Sequence, residues 1–155
     1  MSLGASVDNP TFYQAIATSY QAGIVLVGAA GNNGGRRGTG AVDYPAAYPE
    51  VIAVSAIDEN NEFPTFSSAG PQVDLAAPGV SILSTYIRGG YATMSGTSMA
   101  APHVTGAAAI RLATHPWESP DQVEAALEST AVNLGLPTNQ QGAGLVNAYA
   151  AALAP

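Results

Sequence analysis

The sequence predicts an α/β fold built on a mostly parallel sheet. Two short runs of β-branched and aliphatic residues, 24–27 and 51–54, are typical of strands buried on both faces of such a sheet. A helical pattern precedes the first run, and this alternation favours right-handed crossover connections. With 155 residues, of which 47% are hydrophobic and 10% charged, the chain can bury a substantial core. We therefore expect one compact domain or part of one.

The first helix is predicted from signals at its two ends. Asn9 is a typical N-cap, Pro10 follows at the first helical position, and apolar side chains then recur at helical spacing up to Gly23. Residues 1–4 have the composition of the end of a buried strand. The sequence thus looks as though it begins in the middle of a sheet.

The second half of the sequence predicts three helices. Residues 96–115 include the small-residue run 105–110, which indicates a central, buried helix that other backbones approach closely. Residues 119–122, Ser-Pro-Asp-Gln, form a capping box with proline at the first helical position, so a helix is expected to about Thr130. A short helix over 147–153 is expected to close the chain.

Composition excludes several classes of function. The formal net charge of −7 disfavours binding to nucleic acid, because phosphate recognition needs clustered cations. The sequence has no apolar run of about 18 residues and its start lacks the pattern of a signal peptide, so neither a membrane partner nor an export signal is expected. The absence of cysteine excludes disulfides, thiolate metal sites and a cysteine nucleophile. Any catalytic group in this sequence is therefore expected to be a hydroxyl or a carboxylate.

The most specific segment is residues 95–103, Ser-Gly-Thr-Ser-Met-Ala-Ala-Pro-His. It places Ser98 at the start of the predicted central helix, where unpaired backbone N–H groups and a partial positive charge can stabilise an oxyanion. A lone serine there is more often only a cap, and an α/β-hydrolase elbow would need glycine where Ala100 stands. The nine-residue motif as a whole resembles the active-site serine motif of the subtilisin-like serine proteases, the subtilase family (peptidase family S8).

The resemblance extends along effectively the whole chain. Residues 1–4 match the family's substrate-pairing strand, and residues 29–32 match its oxyanion-hole segment. Further matches in family order are residues 44–54, 66–68, 77–79 and 142–147. The resemblance implies a three-layer subtilisin-like α/β fold with a mostly parallel sheet. Residues 1–155 would form the C-terminal half of the catalytic domain, with the N-terminal part of the fold absent.

The family match also implies site residues. Ser98 would be the nucleophile, and Asn32 would donate its side-chain amide to the oxyanion. The pocket for the substrate residue that precedes the scissile bond would be surrounded by Ser2, Leu3, Gly4, Ala30, Gly31 and Asn33.

A weak cation site is implied as well, although no cofactor is required for catalysis. The carbonyls of Ala46, Tyr48 and Val51 and the side chain of Asp74 match its ligands, and oxygen-only ligation suits a structural Ca²⁺ or Na⁺. Asp74 fits a loop-capping role equally well.

The general base that a serine nucleophile needs is not evident in this sequence. Of the two histidines, His103 lies about 140° round the helix from Ser98, and His115 lies roughly 25 Å along it. The resemblance makes His103 structural, with buried polar partners. Because the family order is Asp, His, Ser, both missing groups are expected upstream of Met1, and the isolated chain is expected to be nearly inactive.

Three functions stay open. The first is a serine endopeptidase half that acts on peptide or protein substrates once an N-terminal segment supplies the missing groups. The second is a non-catalytic module that captures extended peptides along residues 2–4. The third is a fragment that self-associates with a second copy through an exposed sheet. A secreted location is implied only by the family resemblance.

Overall fold

The centre of the molecule is a three-stranded parallel sheet, described here from a computed structural model that covers residues 1–35 and 40–155. Its strands are β1 (Val27–Ala29), β2 (Ile52–Ile57) and β3 (Val73–Pro78), in that spatial order. All six residues of the central strand β2 are buried, Ser55 among them, and the apolar run 51–54 predicts the first half of this strand. The predicted parallel sheet is therefore confirmed.

Five α-helices are described, and the expected helix ends are observed. They are α1 (Pro10–Gln21), α2 (Thr97–Thr114), α3 (Pro120–Ser129), α4 (Thr138–Gln141) and α5 (Ala148–Leu153). The Asn9 side chain caps α1 by accepting from two backbone N–H groups. The capping box of Ser119 and Gln122 is formed in both directions. Of these helices only α4 was not predicted.

The sheet is covered on both faces. On one face the small side chains of α2 pack against alternate residues of β2, among them Val54 and Ala56. On the other face Ala53 packs against the loop that contains Val42 and Ala46, and α1 lies beyond it through Ile16. This is the three-layer α/β arrangement that the family resemblance implies.

Two sequence predictions need correction. The first strand begins at Val27 rather than at Ile24, which is 51% exposed, because the Ile24 N–H still bonds to Ser19 at the end of α1. Residues 2–4 are exposed and are not the end of a buried strand. Backbone hydrogen bonds fix the residues on either side of this segment instead. Met1 O accepts from Ala29 N at 3.1 Å, and Ala5 forms an isolated antiparallel β-bridge with Tyr44.

A second, two-stranded sheet was not predicted. Strands β4 (Ile82–Tyr86) and β5 (Gly90–Met94) form an antiparallel hairpin that leads directly into α2. Large apolar side chains on the hairpin, including Leu83, Ile87 and Tyr91, are exposed. The hairpin therefore adds little to the core but brings the chain to the start of α2.

Arg111 holds the far end of α2 in place. It is 2% exposed, forms a salt bridge with Glu118, and donates to the carbonyl oxygens of Ala151 and Ala154. A buried guanidinium needs such a complete set of acceptors. The contacts join α2 to the turn before α3 and to the end of α5.

Aromatic packing is concentrated beside α1. The rings of Tyr13 and Tyr44 lie 4.9 and 4.7 Å, respectively, from the ring of Tyr48. Trp117, the chain's single tryptophan, lies between α2 and α3 and is 95% exposed.

Among the described residues, no helix combines the length and the apolarity needed to cross a membrane.

Candidate active site

Ser98 is the second residue of α2 and is partly exposed. Its backbone N–H belongs to the first turn, where no carbonyl of the preceding helical turn is available to accept it. Gly96 precedes the helix and its N–H donates to Gly79 O, which fixes how the chain enters the first turn. The hydroxyl and the free N–H of Ser98 therefore lie together at the positive end of an 18-residue helix.

Asn32 lies against this helix start although it is 65 positions away in sequence. Its Oδ1 accepts from the backbone N–H of Thr97 at 2.9 Å and lies 3.2 Å from Thr97 Oγ1. Because only the amide oxygen can accept from a backbone N–H, this contact fixes the orientation of the amide. The Asn32 Nδ2 group is left to donate elsewhere.

Thr97 is the residue that connects the two segments. It is fully buried, and its hydroxyl accepts from the Gly31 N–H at 3.1 Å while facing Asn32 Oδ1. Sequence reasoning considered Thr97 only as a possible N-cap, whereas the structure has Gly96 at that position. We describe it as a positioning residue, because its contacts fix the orientation of Asn32.

Ser2 contacts Ser98 from a third segment. Ser2 Oγ donates to Ser98 O at 2.8 Å, and Ser98 Oγ lies 3.4 Å from Ser2 O. The structure therefore brings Ser2 into contact with Ser98, and Asn32 into contact with the neighbouring Thr97. Leu3 and Gly4 continue this exposed segment.

The remaining predicted pocket residues lie beside it. Ala30 is buried and its N–H bonds to Val54 O, whereas Asn33 is exposed and its N–H lies 3.3 Å from Ser68 Oγ. Gly31 adopts a positive φ of 110° between them. Sequence reasoning missed Asp43, whose buried carboxylate contacts both Asn33 and Gly31. The one feature of the sequence that could have pointed to Asp43 is that it is a single charged residue in an otherwise apolar stretch.

A cavity of about 310 Å³ opens beside Ser98. Its lining includes Met99 and Pro102 of α2, together with the start of the hairpin at Ile82 and Leu83. His103 also lines this cavity, so the ring shares a surface with Ser98. Ser98 thus has mainly apolar neighbours across this cavity.

Neither histidine is hydrogen-bonded to Ser98. The prediction that His103 has buried partners is wrong: the ring is exposed, and its Nδ1 donates to Met99 O at 2.9 Å. His115 lies at the opposite end of α2, with Nδ1 2.9 Å from Thr114 Oγ1. The Ser98 hydroxyl has its contact with Ser2 O instead.

The four predicted cation ligands surround one cavity of about 220 Å³. Ala46, Tyr48, Val51 and Asp74 all line it. Asp74 lies in β3 rather than in a loop, and its Oδ2 accepts from the backbone N–H of Ala53 at 2.7 Å. Burial raises the pKa of Asp74 to about 6.

Two glutamates that sequence reasoning missed lie next to Asp74. Carboxylate oxygens of Asp74, Glu124 and Glu128 lie within 4.8 Å of one another. Burial, reinforced by the charge of Asp74, raises the pKa of Glu124 to about 7, and burial also raises the pKa of Glu128. The three carboxylates thus form an acidic cluster, two members of which, Asp74 and Glu124, line this cavity.

Comparison with known proteins agrees with this geometry. A family model described as the subtilase family matches residues 1–149. The chain belongs to the subtilase family. Subtilases are serine proteases, and thus hydrolases.

Several subtilases are similar to this chain along almost all of its length. Subtilisin DY of Bacillus licheniformis is 47% identical over 152 residues, which cover 98% of this chain and 55% of that protein. Subtilisin E of Bacillus subtilis is also 47% identical, over 98% of this chain and 40% of that protein. The thermostable alkaline protease of Halalkalibacterium halodurans is 45% identical, over 96% and 40%. The chain thus spans about half the length of these relatives.

Proposed function

We propose that residues 1–155 are the C-terminal, serine-bearing half of a subtilase catalytic domain, and that this half takes part in endopeptidase catalysis through an acyl-enzyme on Ser98. The observation that carries the proposal is the Asn32 amide, oriented by Thr97 beside the start of α2. The substrates would be peptides or proteins. A secreted location belongs to the same proposal and rests on the family resemblance.

The proposed chemistry begins when Ser98 Oγ attacks the carbonyl carbon of the scissile bond while a general base accepts its proton. The resulting oxyanion would receive hydrogen bonds from the Ser98 N–H and from Asn32 Nδ2, which are already oriented before the reaction. Collapse of the intermediate breaks the C–N bond, and the base returns the proton to the leaving amine. Water then hydrolyses the acyl-enzyme by the same route.

The base and its orienting carboxylate would come from the N-terminal half of the domain. Within this chain His103 donates Nδ1–H to Met99 O and has no hydrogen bond to Ser98 in the described structure. The cavity beside Ser98 is lined mainly by apolar side chains, which suits the packing of another segment against Met99 and Pro102. We place the incoming histidine there.

The test is covalent labelling of Ser98. A fluorophosphonate should modify the complete translation product that contains these residues, and mass spectrometry should locate the adduct on Ser98. Ser98→Ala should abolish labelling, whereas Ser95→Ala, at an exposed serine just before the helix, should not. If the folded complete product stays unlabelled while it binds peptides, the non-catalytic module is the correct function instead.

A structural cation is the second part of the proposal. The ligands would be the carbonyls of Ala46, Tyr48 and Val51 with the carboxylate of Asp74, all of which line one cavity. Oxygen donors with excess negative charge fit Ca²⁺ or Na⁺. The ion would neutralise the carboxylates and hold β3 against the 46–51 loop. It has no part in the bond-breaking steps.

Calcium is therefore expected to stabilise the chain most at neutral pH. Because folding raises the pKa of Asp74 to about 6 and of Glu124 to about 7, the folded chain binds more protons than the unfolded one. Without an ion, the free energy of unfolding should fall as the pH rises from about 4 to about 7 and then level off. Saturating Ca²⁺ should remove that fall and raise Tm by about 5–10 °C.

Thermal unfolding with and without Ca²⁺ across this pH range measures the effect. Asp74→Asn should remove the response to calcium, whereas Glu59→Gln, at an exposed carboxylate outside the cluster, should keep it. A calcium response that persists in Asp74→Asn would contradict this ligand assignment.

A further inference from the structure

Trp117 holds its indole almost wholly in water beside a cavity that the proposed reaction does not use. The side chain is 95% exposed. The cavity measures about 370 Å³, within the range of about 300–1,000 Å³ that is usual for small-molecule sites. Its lining residues are Thr114, His115, Pro116, Trp117, Glu118 and Gln122. A single exposed apolar side chain is ordinary by itself, whereas an indole that borders a cavity with polar walls has the form of a ligand site.

The backbone turn that carries Trp117 is fixed by hydrogen bonds on both sides. The His115 N–H donates to Arg111 O at 2.8 Å, and the Glu118 N–H donates to His115 O at 3.3 Å. Directly afterwards the capping box begins α3. A ligand that stacks on the indole therefore does not have to order this turn, which lowers the entropic cost of binding.

The charges beside this cavity are paired within the protein. Arg111 forms a salt bridge with Glu118, and the hydrogen bond from Arg111 lowers the pKa of Glu118. The guanidinium also donates to the carbonyl oxygens of Ala151, Ala154 and Pro155. Because both ions already have partners, a neutral ligand fits the cavity better than a charged one.

The polar groups of the cavity wall include one acceptor and one donor. Thr114 Oγ1 donates to Arg111 O at 2.9 Å, so it accepts from His115 Nδ1, which lies 2.9 Å from it. The neutral imidazole then carries its proton on Nδ1 and offers Nε2 as an acceptor. Gln122 Oε1 accepts from the Ser119 N–H, which fixes the amide and leaves Nε2 as a donor. Hydroxyl groups of a ligand can match both, because a hydroxyl donates and accepts.

We propose that this cavity binds a neutral pyranose sugar, with the sugar ring stacked on Trp117 and its hydroxyl groups bonded to His115 and Gln122. In a pyranose with equatorial hydroxyl groups, the axial C–H bonds form an apolar face that can lie flat on an indole. The hydroxyl groups project from the edge of the ring, where they can meet the donor and the acceptor. One flat apolar face with a polar edge is the shape that the cavity and its indole fit.

The sugar would bind far from the candidate active site. His115 follows the last residue of α2, whereas Ser98 is its second residue. At 1.5 Å per residue the two lie about 25 Å apart along the helix. A bound sugar would therefore leave the cavity beside Ser98 accessible, and the site could anchor the protein on a carbohydrate while a peptide is bound.

Binding of soluble oligosaccharides tests the proposal. The complete translation product with Ser98→Ala, which prevents proteolysis by that serine, is titrated at pH 8 by isothermal titration calorimetry. The probes are cellotetraose and tetra-N-acetylchitotetraose, both of which present equatorial substituents. We expect a Kd of about 1 mM for at least one of them. Sorbitol, which has the hydroxyl groups but no ring, should not bind detectably.

Three variants separate the parts of the site. Trp117→Ala should weaken binding at least about tenfold without affecting the fold, because the indole is almost fully exposed. Gln122→Glu should weaken it about threefold or more, since glutamate keeps the capping box but removes the Nε2 donor. Tyr149→Ala, at an aromatic residue that is 78% exposed on α5, should leave the affinity unchanged.

Failure of both oligosaccharides to bind would overturn the proposal, and so would equal affinities of the Trp117→Ala variant and the parent protein. Self-association in sedimentation velocity that disappears in Trp117→Ala, without sugar binding, would assign this surface to a second copy of the chain instead. None of these measurements needs hydrolysis. Sugar binding by a product whose Ser98 resists fluorophosphonate would therefore overturn the proposed function alone.

Discussion

Joined to the part of subtilisin DY that precedes the matched region, this chain should hydrolyse a peptide p-nitroanilide about 10⁶-fold faster than it does alone. That factor was measured in subtilisins for loss of a single triad member, and it is adopted here rather than calculated. The physical reason is that the serine, base and carboxylate act as a unit. Ser98 without a base retains only its oxyanion donors and its contacts with the substrate.

The comparison is made by initial rates at equal concentrations of folded protein. Ser98→Ala in the joined protein should return the rate to that of the chain alone. His103→Gln should have little effect, because Nδ1 of that ring donates to Met99 O within its own helix. Rapid turnover by the chain alone that disappears in His103→Gln would show that His103 is the base, and would contradict the half-site proposal.

Replacing Asn32 by leucine in the joined protein should lower kcat by about 10²- to 10³-fold with little change in KM. This range comes from the oxyanion-hole asparagine of subtilisin itself, so the prediction transfers a known magnitude to Asn32. The donor would act on charge that exists only in the transition state, and substrate binding would therefore be spared. Steady-state kinetics separates the two parameters.

Thr97→Val offers a variant that keeps Asn32 but removes one of its contacts. The valine side chain has no hydroxyl to face Asn32 Oδ1 or to accept from Gly31 N, while the backbone N–H remains. The loss in kcat should be smaller than that of Asn32→Leu.

One outcome for the Asn32→Leu variant would contradict its prediction. A rise in KM with unchanged kcat would assign Asn32 to substrate binding instead of the oxyanion.

Local chemistry explains why the helix ends were predictable. Asn9 and Ser119 cap their helices through bonds to backbone groups only two or three residues away, so the sequence contains both partners. The central helix was predicted from its small-residue run 105–110, but the expected burial of that run is wrong for all of its residues except Ala107 and Ala108. Ser98 and Asn32 were found through family motifs, and their contact through Thr97 could not be read from local spacing.

Long-range contacts explain what was missed. Glu124 and Glu128 are four residues apart, a spacing typical of a solvated helix face, and only Asp74 on a distant strand makes them a cluster. Asp43 was likewise missed, because the segments that enclose its carboxylate, at Gly4 and Gly31, lie elsewhere in the sequence. Strand β3 contains Asp74 and ends at a proline, so its pattern did not indicate a buried strand.

The uneven placement of aromatic side chains determines how unfolding can be observed. Trp117 is almost fully exposed in the folded chain, so its emission should barely change on denaturation. Tyr48, packed between Tyr13 and Tyr44, lies in an asymmetric environment that exists only when α1 is seated beside the sheet. Near-ultraviolet circular dichroism of the tyrosines, rather than tryptophan fluorescence, is therefore the signal that should follow this fold.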